Sequence, residues 1–203
     1  MTPQKRVFDL VLVMLLSVVL TPVLLGLMAV MVFTMGRPVF YKSERMRGVD
    51  QPFTLWKLRT MRQTTNRETG VSGGDKSDRI PPFGRFLRKT RLDELPQLWN
   101  ILRGDISFVG PRPPLREYVE RFPDLYAQVL KSRPGVTGLA SLRYHRTEER
   151  LLARCRSAQE TDATYARRCV PRKAALDLIY QRNQNICYDV VLIVQTVTRL
   201  IPK

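Results

Sequence analysis

Between Leu10 and Gly36 the chain runs for 27 positions without one charged residue. A stretch of that kind cannot form a water-exposed surface, so it must meet lipid or be sealed in a core. As one helix it would reach about 40 Å, longer than the roughly 30 Å hydrocarbon core, so its length permits a transmembrane span. It is too long for the apolar part of a signal peptide and ends without a small-x-small cleavage pattern. Two features compete with a simple span. Pro22, near the middle, removes a backbone hydrogen bond and kinks a helix, and Thr21 beside it can offer its hydroxyl to a freed carbonyl. Basic residues also flank both ends: Lys5 and Arg6 before, and Arg37, Lys42, Arg45 and Arg47 after. A spanning helix sends one of these flanks across, whereas the positive-inside rule holds both in the cytoplasm. A helix broken at Thr21-Pro22, with arms of about 18–22 Å, would dip into one leaflet and return. These considerations leave both arrangements open. At the entry Arg6 and Asp9, three residues apart on one helical face, read as a local ion pair.

The rest of the chain is of another kind. The whole carries a formal charge of +16, and residues 37–203 hold 32 of the 34 basic side chains against 17 acids. The length suits one domain with a real core, and the average composition, 44% hydrophobic and 26% charged, excludes a disordered polycation, a collagen-like repeat and a multi-pass transporter. Cys155, Cys169 and Cys187 lie far apart and His145 is the sole histidine, so neither a zinc site nor a disulfide framework is expected. The expected organisation is a membrane helix-break-helix over 1–36 and an interfacial cytosolic domain over 37–203. Its fold class is α+β and mainly helical.

Alternation through Pro38–Lys42 and Phe53–Met61, around a polar turn at Glu44–Asp50, predicts a β-hairpin. In its second strand Phe53, Leu55 and Lys57 share one face. Residues 62–79 have loop composition. Helices are expected at Phe83–Arg88, at Leu95–Leu102 with Leu95, Leu98, Trp99, Ile101 and Leu102 as its apolar face, and from Pro114 to Ser132 with a restart at Pro123. Arg133–Gly138 reads as a turn-rich link. Thr147, before Glu148 and Glu149, reads as an N-cap. Ile186–Ile201 is too short to span comfortably and suits a packed or interfacial amphipathic helix.

Chemistry concentrates around Asp93 and Glu94. Pro96 places them at a helix start, where Asp93 could serve merely as N-cap and Glu94 as a first-turn acid. Their surroundings ask for more. Arg85, Arg88, Lys89 and Arg91 precede them, and Gly110-Pro-Arg-Pro113 holds Arg112 in a rigid turn. Arginine forks match phosphate oxygens, and Mg²⁺ is held by one or two carboxylates plus substrate phosphates. An Asp carboxylate is also a known nucleophile toward phosphoryl groups.

The runs Arg88-Lys-Thr-Arg-Leu-Asp-Glu-Leu-Pro-Gln-Leu-Trp-Asn100 and Gly104-Asp-Ile-Ser-Phe-Val-Gly-Pro-Arg-Pro113 resemble those of the bacterial sugar transferases, the monotopic phosphoglycosyl transferases. Arg6-Val-Phe-Asp9, Phe53–Met61 and Arg133–Ala140 agree, in the family's order. The resemblance implies transfer of a sugar 1-phosphate from a UDP-sugar to a polyprenyl phosphate such as undecaprenyl phosphate, with release of UMP. It implies Asp93 as the nucleophile of a covalent phosphosugar intermediate, with Glu94 as its partner acid and both as Mg²⁺ ligands. Arg88, Arg112 and the flanking Pro111 and Pro113 match positions near the phosphates and nucleotide. Lys57 and Arg59 on the second strand are counted with them. Thr21-Pro22 falls at the family's usual Ser-Pro break, which favours the re-entrant form. The bacterial inner membrane, with the catalytic domain on its cytoplasmic face and lipids as partners, is the implied location. Whether the protein forms a homodimer is left open. After Ala140 the chain departs from many relatives, so Arg143, or Arg146, is either a nucleotide ligand or part of a solvated basic turn. The rival class is a membrane-anchored basic protein binding nucleic acid or anionic lipid, resting on charge alone. A phosphatase using the same aspartyl chemistry is the enzymatic rival. The phosphoglycosyl transferase reading expects no nucleic-acid partner.

Overall fold

The computed structural model describes residues 1–62 and 78–200. Its first element, α1 (Pro3–Met35), is the one described helix long and apolar enough to cross a membrane. Thr2 opens it by accepting from Lys5 N (3.3 Å), with Pro3 just inside, and Gly36 closes it at φ 69°. The expected break at Thr21-Pro22 does not interrupt the helix, which is continuous through Pro22. Only one amide is lost at a proline, and the neighbouring turns hold. The hydroxyl bonds to carbonyls one turn back come from Ser17 (to Val13) and Thr34 (to Val30), not from Thr21.

Both ends of α1 lie against the body. At the first, Lys5 meets Asp189 in a buried ion pair and donates to the Tyr180 hydroxyl (3.1 Å). Arg6 donates to the carbonyls of Ile101 (2.6 Å) and Leu102 (2.7 Å), and Asp9 accepts from Phe108 N (3.3 Å). The local Arg6–Asp9 pair is therefore not formed, because each side chain finds a fixed partner on the body. At the other end Arg59 Nη2 donates to the carbonyls of Met35 and Gly36. Val13 and Met31 are buried, whereas Val18, Val19 and Leu25 between them are exposed.

The hairpin pairs β1 (Phe40–Gly48) with β2 (Gln51–Leu58), bulged between Met46 and Gly48. β1 runs through most of the expected turn, because Glu44 and Arg45 pair across to Thr54 and Phe53. The loop expected over 62–79 lies outside the described residues except at its ends, where Arg62 N donates to Arg79 O (2.9 Å). Then come α2 (Pro82–Thr90), a 3₁₀ turn (Leu92–Glu94) and α3 (Gln97–Arg103). The buried face of α3 is Gln97, Asn100 and Ile101, and Trp99, expected inside, is 55% exposed. Asn100 explains the change. Its amide donates to Thr54 O (2.8 Å) and Asp105 (3.0 Å), and its carbonyl accepts from Trp56 N (3.1 Å), docking α3 on the edge of β2.

The link expected at Arg133–Gly138 is instead a strand. β3 (Ser107–Val109) pairs in parallel with β4 (Gly135–Thr137). Glycine permits the approach: a Cβ on Gly135 would lie 2.2 Å from Gly110 N, and one on Gly110 2.1 Å from Arg133 O. Between these strands lie α4 (Arg116–Arg121) and α5 (Pro123–Val129). After them, α6 (Leu139–Leu152) starts well before Thr147, which is an interior residue and caps nothing. α7 (Ala158–Thr164), a π-helical turn (Tyr165–Cys169) and α8 (Val170–Arg182) complete a helical core with Tyr118, Tyr126 and Val129. α9 (Ile186–Leu200) buries Leu192 and Asp189 but leaves Val190, Val191, Val194 and Val197 exposed. Together with α1, it gives the protein an apolar exterior on two helices, as an amphipathic membrane-facing element would.

Candidate active site

Asp93 and Glu94 sit in the 3₁₀ turn rather than at an N-cap; Pro96 occupies that position for α3. The turn exists because Arg91 adopts a left-handed conformation (φ 57°) that ends α2 and redirects the chain. Both acids are thereby pulled inward, with 8% and 7% of their surfaces exposed.

Their situations differ sharply. Glu94 is clamped by three cations: Lys57 Nζ (2.9 Å) and Arg112 Nη2 (2.8 Å) on Oε1, and Arg91 Nη2 (2.9 Å) on Oε2. Burial alone would raise its carboxyl, but Arg112, Lys57 and Arg91 outweigh that and hold it well below the usual range. Asp93 has no hydrogen bond or ion pair among the described residues. Burial pushes its carboxyl up and Glu94 adds to this, while Lys57, Arg112 and Arg88 pull it back. The result is a poorly solvated carboxylate, more basic than its neighbour and within the field of several cations. Adjacent acids driven apart in this way are suited to different roles.

Each cation is positioned by a different element. Lys57 reaches in from the inward face of β2; burial lowers its ammonium, and Glu94 opposes that. Arg88 comes from α2, where Nε donates to Thr60 Oγ1 (2.8 Å); its guanidinium is lowered by burial, with Asp93 acting against. Arg112 hangs from the Pro111-Arg-Pro113 turn, where Pro111 O accepts from Gly135 N (2.8 Å). Glu94 pushes the Arg112 guanidinium further up. On the same side Arg45, from β1, donates to Pro113 O (3.3 Å).

The structure thus brings Lys57, Arg88, Asp93, Glu94 and the Pro111–Pro113 turn together. Arg59 is bound to the end of α1 instead, and Arg143 stands exposed on α6, outside the cluster. Sequence reasoning missed Arg91 as a clamp, although its i,i+3 spacing to Glu94 was available. It missed Asn100, whose signal was a polar residue in an apolar helix, and Arg45, which the supposed turn concealed.

Of the two acids expected to hold Mg²⁺, Asp93 is the better placed in this arrangement. Three cations already occupy Glu94, two on Oε1 and one on Oε2, so it is the more crowded and more fully neutralised of the two acids. Asp93 has no such pair among the described residues, and one carboxylate completed by substrate phosphates is a common Mg²⁺ environment. No group of three or more His, Cys, Asp or Glu that could hold a metal occurs among the described residues.

Comparison with known proteins identifies the family of the chain. The chain is 39% identical over 138 residues to a protein of Bacillus subtilis described as the uncharacterized sugar transferase EpsL, covering 68% of this chain and 67% of that one. It is 33% identical to a UDP-glucose:undecaprenyl-phosphate glucose-1-phosphate transferase of Klebsiella pneumoniae, over 80% of this chain but 36% of that enzyme. The exopolysaccharide production protein ExoY of Sinorhizobium fredii is 31% identical over 96% of this chain and 84% of its own. The sequence pattern of the family described as bacterial sugar transferase matches residues 1–203. With that match spanning the chain, the protein belongs to the bacterial sugar transferases and is a phosphoglycosyl transferase.

Proposed function

We propose that the protein moves a sugar 1-phosphate from a UDP-sugar to undecaprenyl phosphate through an aspartyl-phosphosugar intermediate. The observation that carries this is the Asp93 carboxylate, buried and unpaired beside a cation cluster. In the first half-reaction an Asp93 oxygen attacks the phosphorus bearing the sugar. The bridging P–O bond breaks and UMP leaves with that electron pair. In the second, an oxygen of the lipid phosphate attacks the same phosphorus, releases the carboxylate and forms the polyprenyl diphosphate sugar. Lys57, Arg88 and Arg112 stabilise the charge that gathers as anions approach one another, which is most of what catalysis of phosphoryl transfer requires. Mg²⁺ would be held by Asp93 with substrate phosphate oxygens, and when bound it neutralises part of that charge.

The lipid phosphate lies at the membrane surface, so the site must lie there too. We read 1–36 as the membrane segment and 37–203 as the catalytic domain on the cytoplasmic face of the inner membrane. A re-entrant path for α1 is supported by its two anchorages. A straight helix would separate Arg6 from Gly36 by about 45 Å. The body joins those points through Asn100, three residues of β2 (about 10 Å) and the Arg6 and Arg59 side chains. A bend at Pro22 lets both anchorages hold without stretching that path to its limit.

The test incubates purified protein, Mg²⁺ and UDP-glucose, first without and then with undecaprenyl phosphate. UMP release and a mass adduct of one hexose phosphate are expected in the first step, and both should vanish in Asp93→Asn. Undiminished turnover by Asp93→Asn would sink the nucleophile assignment.

A further inference from the structure

Three cations converge on Glu94, and beside them stands a guanidinium with no acid of its own. Arg45 lies on the hairpin face that also carries Tyr41, Ser43 and Lys57. Its Nε donates to Ser43 Oγ (3.2 Å) and its Nη1 to Pro113 O (3.3 Å). Next to it, Met46 N donates to Pro114 O (3.0 Å), so β1 and the Pro-Arg-Pro turn are joined at two points. This fixes Arg45 near the Arg112 turn; burial, with the charge of Arg112 second, pushes the Arg45 guanidinium down to about 10.

An arginine has five N–H donors, and two of these are engaged. Nη2 has no partner among the described residues and is not one of the buried unpaired atoms, so that edge keeps access to solvent. Arg45 forms no ion pair among the described residues, and Glu94, which acts on it, is already shared by Lys57, Arg91 and Arg112. Arg112 and Arg45, whose Nη1 is fixed on the carbonyl of the next residue, Pro113, repel each other. An oxyanion bridging them removes that repulsion and matches both forks. Arg112, whose Nη2 lies 2.8 Å from Glu94 Oε1, ties this place to the turn that carries Asp93 and Glu94.

We propose that Arg45 is a substrate-phosphate ligand, its free edge pairing with Arg112 to hold one phosphate oxyanion next to Asp93. This rests on the phosphoglycosyl transfer reading. A phosphate reaches this site from two sources, the nucleotide diphosphate and the lipid, and they share the chemistry that Arg45 recognises.

The test uses the full-length protein in lipid nanodiscs with Arg45→Gln and Arg45→Lys, thermal unfolding serving as the fold control. UDP is titrated calorimetrically, which needs no turnover. KM for UDP-glucose and for undecaprenyl phosphate are then measured separately. Arg45→Gln should weaken UDP binding and raise KM for UDP-glucose tenfold or more if the nucleotide phosphate is held. If the lipid phosphate is held, KM for undecaprenyl phosphate should rise instead. Arg45→Lys should recover part of either loss, and it carries the test if Arg45→Gln does not fold. UDP affinity and both KM values within twofold of wild type would overturn the proposal. So would a fall in kcat alone that lysine does not rescue, since that marks mere support of the turn. A wild-type protein inert toward UDP-sugars would count against the transfer reading itself; normal wild-type transfer with an unaffected Arg45→Gln counts against Arg45 alone.

Discussion

Replacing Glu94 with Gln keeps its shape and removes the charge that gathers Lys57, Arg91 and Arg112. Breaking a buried ion pair by removing one partner costs about 3–5 kcal/mol. Arg112 and Arg91 are partly open to solvent, with 37% and 28% of their side chains exposed, so water screens part of that loss. The figure expected is therefore the lower one, about 3 kcal/mol. For a chain of 203 residues that corresponds to a fall of roughly 6–12 °C in Tm. The pH dependence has a definite sign. Glu94 is held below its unfolded value of 4.5, so its stabilisation is complete above that value and fades as pH falls toward the depressed folded value. The gap between wild type and Glu94→Gln should stay constant from pH 8 to about 5.5 and close only in more acid solution. Thermal unfolding followed by the fluorescence of Trp56 and Trp99 reads both quantities. Asp93→Asn is the internal contrast: its carboxyl is raised by burial, so Asn should leave stability at pH 7 equal or higher. A Glu94→Gln protein as stable as wild type, or a gap that changes between pH 8 and 6, would refute the clamp.

Gly135→Ala places a methyl 2.2 Å from Gly110 N and should cost about 3 kcal/mol or more, read as loss of folded protein on expression and a lowered Tm. Asn100→Ala leaves Trp56 N, Thr54 O and Asp105 without their partner and should cost about 2–4 kcal/mol, whereas Trp99→Ala should stay within about 0.5 kcal/mol in denaturant titration. Asp177 is buried, and burial lifts its carboxyl to about 7. The wild type should therefore lose stability as pH rises from 4 through 7, by an amount on the order of 4 kcal/mol, and Asp177→Asn should flatten that slope.

Elements with a strong local signature were legible beforehand. The hairpin, α2, α3 and the α4–α5 restart at Pro123 followed from alternation, periodicity and proline, and the acids with their arginines from motif and charge. What escaped depends on partners distant in sequence. β4 is three residues long, and only its approach to Gly110 makes it a strand. Trp99 faces outward because Asn100, reaching to β2, rotates α3 away from its most apolar face. Thr147 has the composition of an N-cap, but α6 is already under way eight residues earlier. Arg6 and Asp9 suit each other locally, yet both reach carbonyl and amide groups about 95 residues on. Local chemistry proposes such pairs, and tertiary packing decides among them.

The contact between Lys5 and Asp189 joins residues 184 apart in the chain. During synthesis at about 5–20 residues per second, Lys5 emerges roughly 10–40 s before its counter-ion has been made. Through that interval the apolar helix can enter the bilayer while its charged foot stays hydrated. Tyr180 and Asp189 then close over it as α9 arrives. On the proposed membrane reading, translation thus orders the two events, with insertion before the helix is sealed to the body by α9. A chain cut before α9 would have a membrane helix with no latch to orient the active site above it.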